Sequence, residues 1–402
     1  MTTSLESAGA PSVAAIRTRF AVTAAYAAQG FGYAVVVTSL PHFKGQLGID
    51  DTAVALIILL VCATAALGSV VADVVARWRG SRVALAAGLF FELAALALVA
   101  TTAELPIFIA ALAVYGVGLG MVDAAGAMQG VLVQRGYGRD IMGSFFAAYT
   151  AAAILGALAV AGASAVVLYA GSVLLFAAAV AGIVGLFGVL AFDPARAAAP
   201  VGAKTKAPLP RRGIWLFGAV ILIAFTLDSG VSTWSTVYLQ DNLLAAASIA
   251  PLGYAAYQGA ILVTRVITDR AAGRWGRTRV VLVATCLSIL GCVVVAALPF
   301  VAAAIIGFAL AGVAVGALVP LAFTSAGALE PARGDEVIAR VNLFNYVGAV
   351  LGAVVIGLLA DGPGLGIAFM IPGIALVGIV FIARRFRAPA PTGADRSPSH
   401  AR

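Results

Sequence analysis

Three carboxylic acids, Glu92, Asp123 and Asp228, lie well inside long apolar stretches of the sequence. A charged side chain at the centre of a bilayer costs about 2.5–3.5 kcal/mol on insertion scales, so such a residue persists only with a partner or a function. Ser232 and Ser235 follow Asp228 at helical spacing, which places one carboxylate and two hydroxyls on the same helix face. This face predicts a site for a polar solute or a proton, and a hydrogen bond between packed helices is the alternative.

The two other acids have different surroundings. Asp123 shares a helical face with Gly116, Gly120 and Gly130, and such small-residue faces usually pack closely against another helix. An aspartate on this face needs more than packing to explain it, so we expect Asp123 to line a cavity. Glu92 has apolar neighbours in the sequence, which favours a structural carboxyl that is protonated or hydrogen-bonded.

Neutral polar residues form three further stripes at helical spacing. The stripes consist of Tyr26, Gln29 and Tyr33; of Tyr254, Tyr257, Gln258 and Arg265; and of Asn342, Asn345 and Tyr346. Each stripe is expected either to line the same cavity or to hydrogen-bond a neighbouring helix. The candidate binding residues drawn from the stripes are Gln29, Tyr33, Tyr257, Gln258, Asn342 and Asn345.

The elements that position these side chains are predicted to be membrane helices. The 402 residues are 62% apolar and only 10% charged, with a mean hydropathy of +1.07. An ordinary soluble domain is about 45–50% apolar and about 25% charged, so a soluble enzyme and a nucleic-acid-binding domain are excluded. Continuous apolar stretches of roughly 20 residues indicate helices that cross a bilayer. Twelve such spans are predicted, at residues 17–40, 52–76, 81–101, 106–133, 141–163, 165–192, 214–239, 250–271, 279–298, 301–328, 336–360 and 366–386.

The positive charges show how the spans are oriented. With the N-terminus in the cytoplasm, Lys44 is the single one of the 25 Lys and Arg residues that falls outside. This asymmetry follows the positive-inside rule, so the net charge of +8 reports orientation rather than affinity for nucleic acid. Both termini are therefore expected in the cytoplasm.

The sequence contains no catalytic or metal-binding motif. Cys62, Cys286 and Cys292 fall within apolar spans without metal-ligand spacing, and the histidines are His42 and His400. No His-Glu-x-x-His, Gly-x-Ser-x-Gly or Walker-type run is present. We expect no enzyme activity, no cofactor and no metal.

The chain divides into two similar halves. We predict a tail at 1–16, a six-helix bundle at 17–192, a cytoplasmic linker at 193–213, a second six-helix bundle at 214–386 and a disordered tail at 387–402. An Arg, Trp, hydroxyl, Arg and Val pattern begins at Arg77 and recurs from Arg274, at an offset of 197 residues. Transporters are often built from such internal repeats.

Two six-helix halves with a basic linker and basic loops resemble the major facilitator superfamily. Its loop pattern is Gly-x-x-x-Asp-Arg-x-Gly-Arg-Arg, and this chain keeps Asp73 but has Ser69 where the glycine stands. The stretches LPHFKGQLGIDD, GLGMVDAAGAMQG, DSGVSTWSTVYL, GALVPLAFTSAG and NYVGAVLG are similar to the MosC-like, rhizopine-associated permease branch. In that branch a glutamate usually stands six residues before a tryptophan, and here Asp228 takes that place before Trp234, so Trp234 joins the candidate site.

The resemblance implies a fold and a function. The fold is all-α, with twelve transmembrane helices in two pseudo-symmetric bundles. The function is a secondary active transporter in the bacterial inner membrane, which acts as a monomer and moves a small polar organic solute by alternating access coupled to protons. The alternatives are a proton-antiport exporter of amphipathic drugs or a secondary metabolite, and a membrane sensor or scaffold that does not transport. The partners are a small-molecule substrate, protons and the lipid bilayer, without nucleic acid.

The charged residues at the loops after the second and eighth spans have a mechanical interpretation. Ion pairs between the two copies would hold the halves together at the cytoplasmic side when the cavity faces outward. An orientation signal alone is the alternative. The residues of this predicted cytoplasmic gate are Asp73, Arg77, Arg82, Arg265, Asp269, Arg270 and Arg274.

Overall fold

A computed structural model describes most of the chain as helices. It covers residues 13–137, 141–166, 171–194, 209–330, 333–360, 362 and 364–386. The N-terminal tail up to residue 12, linker residues 195–208 and the C-terminal tail from residue 387 lie outside the described residues, so the predictions for them stay predictions. Within the described part, no residue lies in a β-strand, which agrees with the expected all-α fold.

The first half contains seven helices in the part that is described. They are α1 (Val13–Thr38), α2 (Leu40–Leu47), α3 (Asp51–Arg79), α4 (Ser81–Thr101), α5 (Leu105–Tyr137), α6 (Met142–Ala165) and α7 (Gly171–Ala191). The short helix α2 is absent from the sequence prediction, which placed only a loop there. It begins with Pro41 in its first turn and ends at Gly48, whose φ of 64° favours glycine.

The second half repeats this order. It contains α8 (Arg211–Val237), a π-helical turn (Tyr238–Asn242), α9 (Pro251–Trp275), α10 (Arg277–Ala297), α11 (Val301–Gly327), α12 (Gly334–Leu358), α13 (Leu365–Ala368), α14 (Met370–Ile382) and a 3₁₀ turn (Ala383–Phe386). The predicted twelfth span therefore consists of α13, α14 and the 3₁₀ turn.

Eleven helical segments in the described residues are long and apolar enough to cross a membrane. The remaining predicted span lies on α9, which has 25 residues but carries Arg265, Asp269, Arg270 and Arg274. Those charges lower its apolarity below that of the other segments. The count of twelve spans and the cytoplasmic position of the termini stay predictions.

The two halves share a structural signature at the repeated basic loop. Gly80 separates α3 from α4 with φ 93° and ψ 154°, and Gly276 separates α9 from α10 with φ 83° and ψ 145°. The Gly80 N–H donates to the Ala76 carbonyl, and the Gly276 N–H donates to the Ala272 carbonyl, both at 3.0 Å. Positive φ angles of this kind favour glycine. The same turn at matching places supports the internal repeat read from the sequence.

Helices within each half pack closely through small residues. A Cβ atom on Gly68 of α3 would overlap the carbonyl oxygen of Val117, and one on Gly120 of α5 would overlap that of Ala65. In the second half, a Cβ on Gly352 of α12 would overlap the carbonyl oxygen of Thr226 on α8 in the same way. Small residues at these crossings let helix backbones approach each other within a bilayer.

The end of the first half that carries the Gly80 turn is fastened by a buried amide. The Gln129 side chain on α5 donates from Nε2 to Ser81 Oγ at the start of α4 and to the Asp193 carbonyl after α7, both at 2.9 Å. Its Oε1 accepts from the Asp193 N–H, also at 2.9 Å. The halves contact each other where α6 meets α9, where α3 meets α12 and where α1 meets α8.

Candidate functional site

Asp123 is held by a helix from the same half. The Gln29 side chain on α1 donates from Nε2 to Asp123 Oδ1 at 2.9 Å and to the Leu119 carbonyl at 3.2 Å. Gln29 is buried, whereas Asp123 is exposed although it lies in the middle of an apolar helix. Glycines on the same face of α5 pack against α3, as the smooth face predicted. The Asp123 carboxylate is therefore oriented by a fixed amide, and its side chain is not enclosed by the packed helices.

Asp228 is held in a similar way in the second half. The Tyr257 hydroxyl on α9 donates to Asp228 Oδ1 at 2.9 Å. Tyr257 is fully buried, and Asp228 on α8 is half-buried. Both residues were predicted for the site from the sequence, but their contact with each other was not.

Arg265 connects this acid to the other half of the chain. Its Nη1 donates to Thr150 Oγ1 on α6 at 3.3 Å, and the guanidinium lies near enough to Asp228 to attract its carboxylate. Arg265 was predicted from the sequence to belong to the cytoplasmic gate. The structure instead brings Arg265 to Asp228 from α9. The sequence feature that could have predicted this placement is the position of Arg265 on the same polar stripe as Tyr257. No sequence feature pointed to Thr150.

Gln258 and Tyr33 lie beside this group. The Gln258 Nε2 donates to the Tyr254 hydroxyl at 2.8 Å, one turn away on α9, and Tyr254 is fully buried. Tyr33 on α1 packs against a small buried cluster that contains Tyr254 together with residues of α1 and α6. Residues of both halves therefore meet at this point.

The remaining predicted binding residues have varied positions. Trp234 is fully buried and donates from Nε1 to the Ala353 carbonyl on α12 at 2.7 Å. Ser232 is buried on α8, and Asn342 and Asn345 are half-buried on α12. The structure brings together Gln29 with Asp123 and Tyr257 with Asp228, and the roles of all these residues stay predictions.

Glu92 lies apart from these pairs. It is 1% exposed on α4, and its Oε1 has no hydrogen-bond partner among the described residues. Its side chain packs beside Gly118 of α5, where an added Cβ would lie 3.1 Å from Glu92 Cγ. This position agrees with a structural carboxyl rather than one open to a solute.

Apart from Arg265, the predicted gate residues lie near the ends of α3 and α9 that are opposite to Asp51 and Pro251, or at the start of α4. Arg77 pairs with Asp73 at 2.9 Å, four residues earlier on the same helix, and both side chains are largely exposed. Arg82 is half-buried at the start of α4. The gate residues on α9, also exposed, are Asp269, Arg270 and Arg274. The pairing of gate residues between the halves stays a prediction.

The candidate site offers carboxylates, a guanidinium, amides and hydroxyls. Among the described residues, no three His, Cys, Asp or Glu side chains lie close enough together to hold a metal ion. Such a set can bind a solute with several hydrogen-bonding groups and can exchange protons at its acids.

The fold and site define a multi-pass membrane protein with polar groups between two helical halves. Residues 22–301 and 216–401 match the family model of the Major Facilitator Superfamily, and the chain belongs to this family of transporters. It is 28% identical to an uncharacterized MFS-type transporter of Yersinia pestis. The aligned region of 361 residues covers 88% of this chain and 92% of that protein.

Two further comparisons agree with this family. The chain is 26% identical over 165 residues to the membrane protein MosC of Rhizobium meliloti, which covers 41% of this chain and 40% of that protein. A crystal structure of the nucleoside transporter NupG is similar with a TM-score of 0.73 at 13% identity, over 92% of this chain and 99% of that chain. The last comparison concerns the fold alone. The resemblance to the superfamily and to MosC is confirmed, and the family and fold are those of a transporter rather than an enzyme.

Proposed function

We propose that the chain is a proton-coupled secondary transporter that moves a small polar organic solute across the cytoplasmic membrane by alternating access. The two halves form six-helix bundles, residues 17–192 and 214–386, around a central site. The helix α9 supplies the twelfth crossing, since its 25 residues are long enough to span a bilayer. The distribution of Lys and Arg supports cytoplasmic termini.

The single observation that carries the proposal is a pair of acids from different halves, each held by a neutral donor. Gln29 orients Asp123, and Tyr257 orients Asp228. Arg265 extends from the second pair to α6 of the first half. Acids inside apolar helices are rare and mark solute or ion pathways. Their arrangement supports a site that both halves share.

The groups of the site favour a polar solute over an amphipathic one. Two carboxylates, a guanidinium and the Gln29 and Gln258 amides offer donors and acceptors for hydroxyl, amine or amide groups. An exporter of hydrophobic cations would need an apolar, aromatic surface around its acids.

Asp228 is the proposed proton carrier. Burial in a helix bundle disfavours the charged form of a carboxyl, and attraction from a nearby guanidinium favours it. Because Arg265 belongs to α9 and also bonds Thr150 of the other half, a rearrangement of the halves changes the attraction at Asp228. The carboxyl is protonated in one state of the cycle and releases its proton when the site opens to the cytoplasm.

The experiment begins with a search for the solute. Purified protein is screened by thermal shift against sugars, cyclitols, amino acids and hydrophobic cations. A stabilising compound is then tested in proteoliposomes for uptake driven by a pH gradient and for counterflow exchange. Asp228→Asn mimics the neutral acid, so we expect it to abolish accumulation by the pH gradient while leaving counterflow measurable. Glu92→Gln is the matched control, and it should accumulate solute like the parent.

Three other results would change the proposal. Accumulation by Asp228→Asn together with its loss in Asp123→Asn would assign the proton to α5. Hits confined to hydrophobic cations would favour the exporter. Binding without flux in either assay would favour a sensor.

A further inference from the structure

Three charged side chains join the two halves at one end of the bundle, and we call them the Lys44 cluster (Lys44, Asp51 and Asp241). The Lys44 ammonium on α2 forms an ion pair with Asp51 at the start of α3. It forms a second pair with Asp241 Oδ2, at 2.5 Å, in the π-helical turn that follows α8. The second pair is a direct charged contact between the halves.

The cluster is partly shielded from water. The side chains of Lys44, Asp51 and Asp241 are 14%, 18% and 35% exposed. Exposed ion pairs contribute little, but removing one partner of a shielded pair leaves the other charge poorly solvated. Burial lowers the pKa of Lys44, yet the hydrogen bonds that its ammonium donates to both carboxylates raise the pKa above its ordinary value. The ammonium therefore stays charged at physiological pH.

Lys44 and Asp241 lie at equivalent places in the repeat. The helices α1, α3 and α4 begin at residues 13, 51 and 81, and α8, α9 and α10 begin at 211, 251 and 277, which is 196 to 200 residues later. Lys44 and Asp241 are 197 residues apart. When two repeats are related by a two-fold axis, the midpoint between equivalent residues lies on that axis. The pair therefore lies over the centre of the contact between the halves.

An apolar layer lies beneath the cluster and is also shared by the halves. Ala34 and Val37 near the end of α1 pack with Ala153 and Ala157 of α6 and with Tyr254 near the start of α9. Ala34 and Tyr254 are fully buried. At this end, a central charged pair and a dry layer below it separate the candidate site from solvent.

The opposite end has a different kind of pair. Arg77 and Asp73 belong to one helix, and their side chains are 65% and 52% exposed. Such a pair between neighbouring turns does not connect the halves. Of these two pairs, the one at the Lys44 end is placed to hold the halves together.

We propose that the Lys44–Asp241 pair is a latch that keeps this end of the transporter closed, and that it must break before a solute can reach the candidate site from that side. This inference rests on the proposed transport function. With cytoplasmic termini, the latch faces the periplasm. Asp51 receives the Lys44 ammonium when the halves separate, because Lys44 and Asp51 belong to the same half.

The test measures access to a residue below the latch and needs no solute. In a background with Cys62→Ala, Cys286→Ala and Cys292→Ala, Ala34→Cys is labelled in intact spheroplasts with a membrane-impermeant maleimide. We expect Lys44→Gln and Asp241→Asn to speed labelling about tenfold, which corresponds to about 1.4 kcal/mol in favour of the open state. The charge swap Lys44→Asp with Asp241→Lys should return the rate close to that of the parent.

A matched control removes an acid at the same end without touching the cluster. Glu104 is exposed just before α5, whose Phe108 ring lies 5.0 Å from Phe43 of α2, so Glu104→Gln should label like the parent. Equal labelling of Lys44→Gln, Asp241→Asn and the parent would overturn the latch. So would a swap that labels as fast as either single variant while it still elutes as a folded protein. If Lys44→Gln and Asp241→Asn speed labelling but no solute flux is found, the transport proposal is refuted while the latch proposal is retained.

Discussion

The attraction between Arg265 and Asp228 can be measured by a double-mutant cycle. Arg265 is half-buried between the halves, with Thr150 as its hydrogen-bond partner and the Asp228 carboxylate nearby. Arg265→Gln removes the charge and, because the Gln side chain is two atoms shorter, also the hydrogen bond to Thr150, and Asp228→Asn removes the opposite charge. If the two groups compensate each other, either single variant leaves one charge uncompensated and the double variant leaves none.

The expected loss of unfolding free energy in these variants follows from the geometry. The bond from Arg265 to Thr150 is 3.3 Å, longer than a charge-assisted bond of about 2.7–2.9 Å, so its loss costs about 1 kcal/mol, below the usual range. An isolated charge in a span costs about 2.5–3.5 kcal/mol, and Tyr257 and partial exposure reduce that cost for Asp228 to about 1 kcal/mol. Arg265→Gln should therefore destabilise by about 2 kcal/mol, of which about 1 kcal/mol is recovered in the double variant.

The assay is unfolding of the purified protein in detergent by denaturant, with Thr150→Val as the control. Thr150→Val removes the hydrogen-bond acceptor of Arg265 but leaves both charges, so its effect should add to that of Asp228→Asn. Additive effects of Arg265→Gln and Asp228→Asn, within about 0.5 kcal/mol, would refute the attraction.

Two further outcomes are expected. Trp234→Phe should lower the unfolding free energy by about 1 kcal/mol, because the Ala353 carbonyl loses the indole donor, while solute affinity in a binding titration stays unchanged; a large loss of affinity would instead make Trp234 a binding residue. The stability difference between the parent and Lys44→Gln should stay constant from about pH 6 to about pH 9, because the raised pKa of Lys44 keeps its charge until the pH rises above 10.5. A difference that disappears by about pH 8 in thermal unfolding would contradict this expectation.

The helices and the acids inside the spans were predictable because their signals are local. Continuous apolarity marks each span, and an acid inside it stands out without knowledge of the neighbours. The small face of α5 was also readable, and Gly120 packs against α3 as expected. These features depend only on residues within a few turns of one helix.

The partners of the polar residues were not predictable because they belong to other helices. Tyr257 and Asp228 are 29 residues apart, Gln29 and Asp123 are 94 apart, and Arg265 and Thr150 are 115 apart. A stripe shows which face of a helix is polar but not which helix it meets. For the same reason, the sequence predicted Lys44 to be the single Lys or Arg residue on the outer side, but it could not predict the contact with Asp241. That contact depends on how α2 and the turn after α8 are arranged in the fold.

Symmetric and asymmetric features occupy different places in this chain. The turns at Gly80 and Gly276 share one conformation, and Lys44 faces its equivalent Asp241. Between these ends the polar residues do not repeat, since Asp123 lies on α5 while the matching region of α11 contains Pro320 and no acid. Halves that exchange contacts during alternating access need similar shapes at their ends, whereas an organic solute without two-fold symmetry needs different groups on its two sides. Under the proposed alternating access, the repeat explains the parts that move, and the departures from the repeat are where residues that select the solute should be sought.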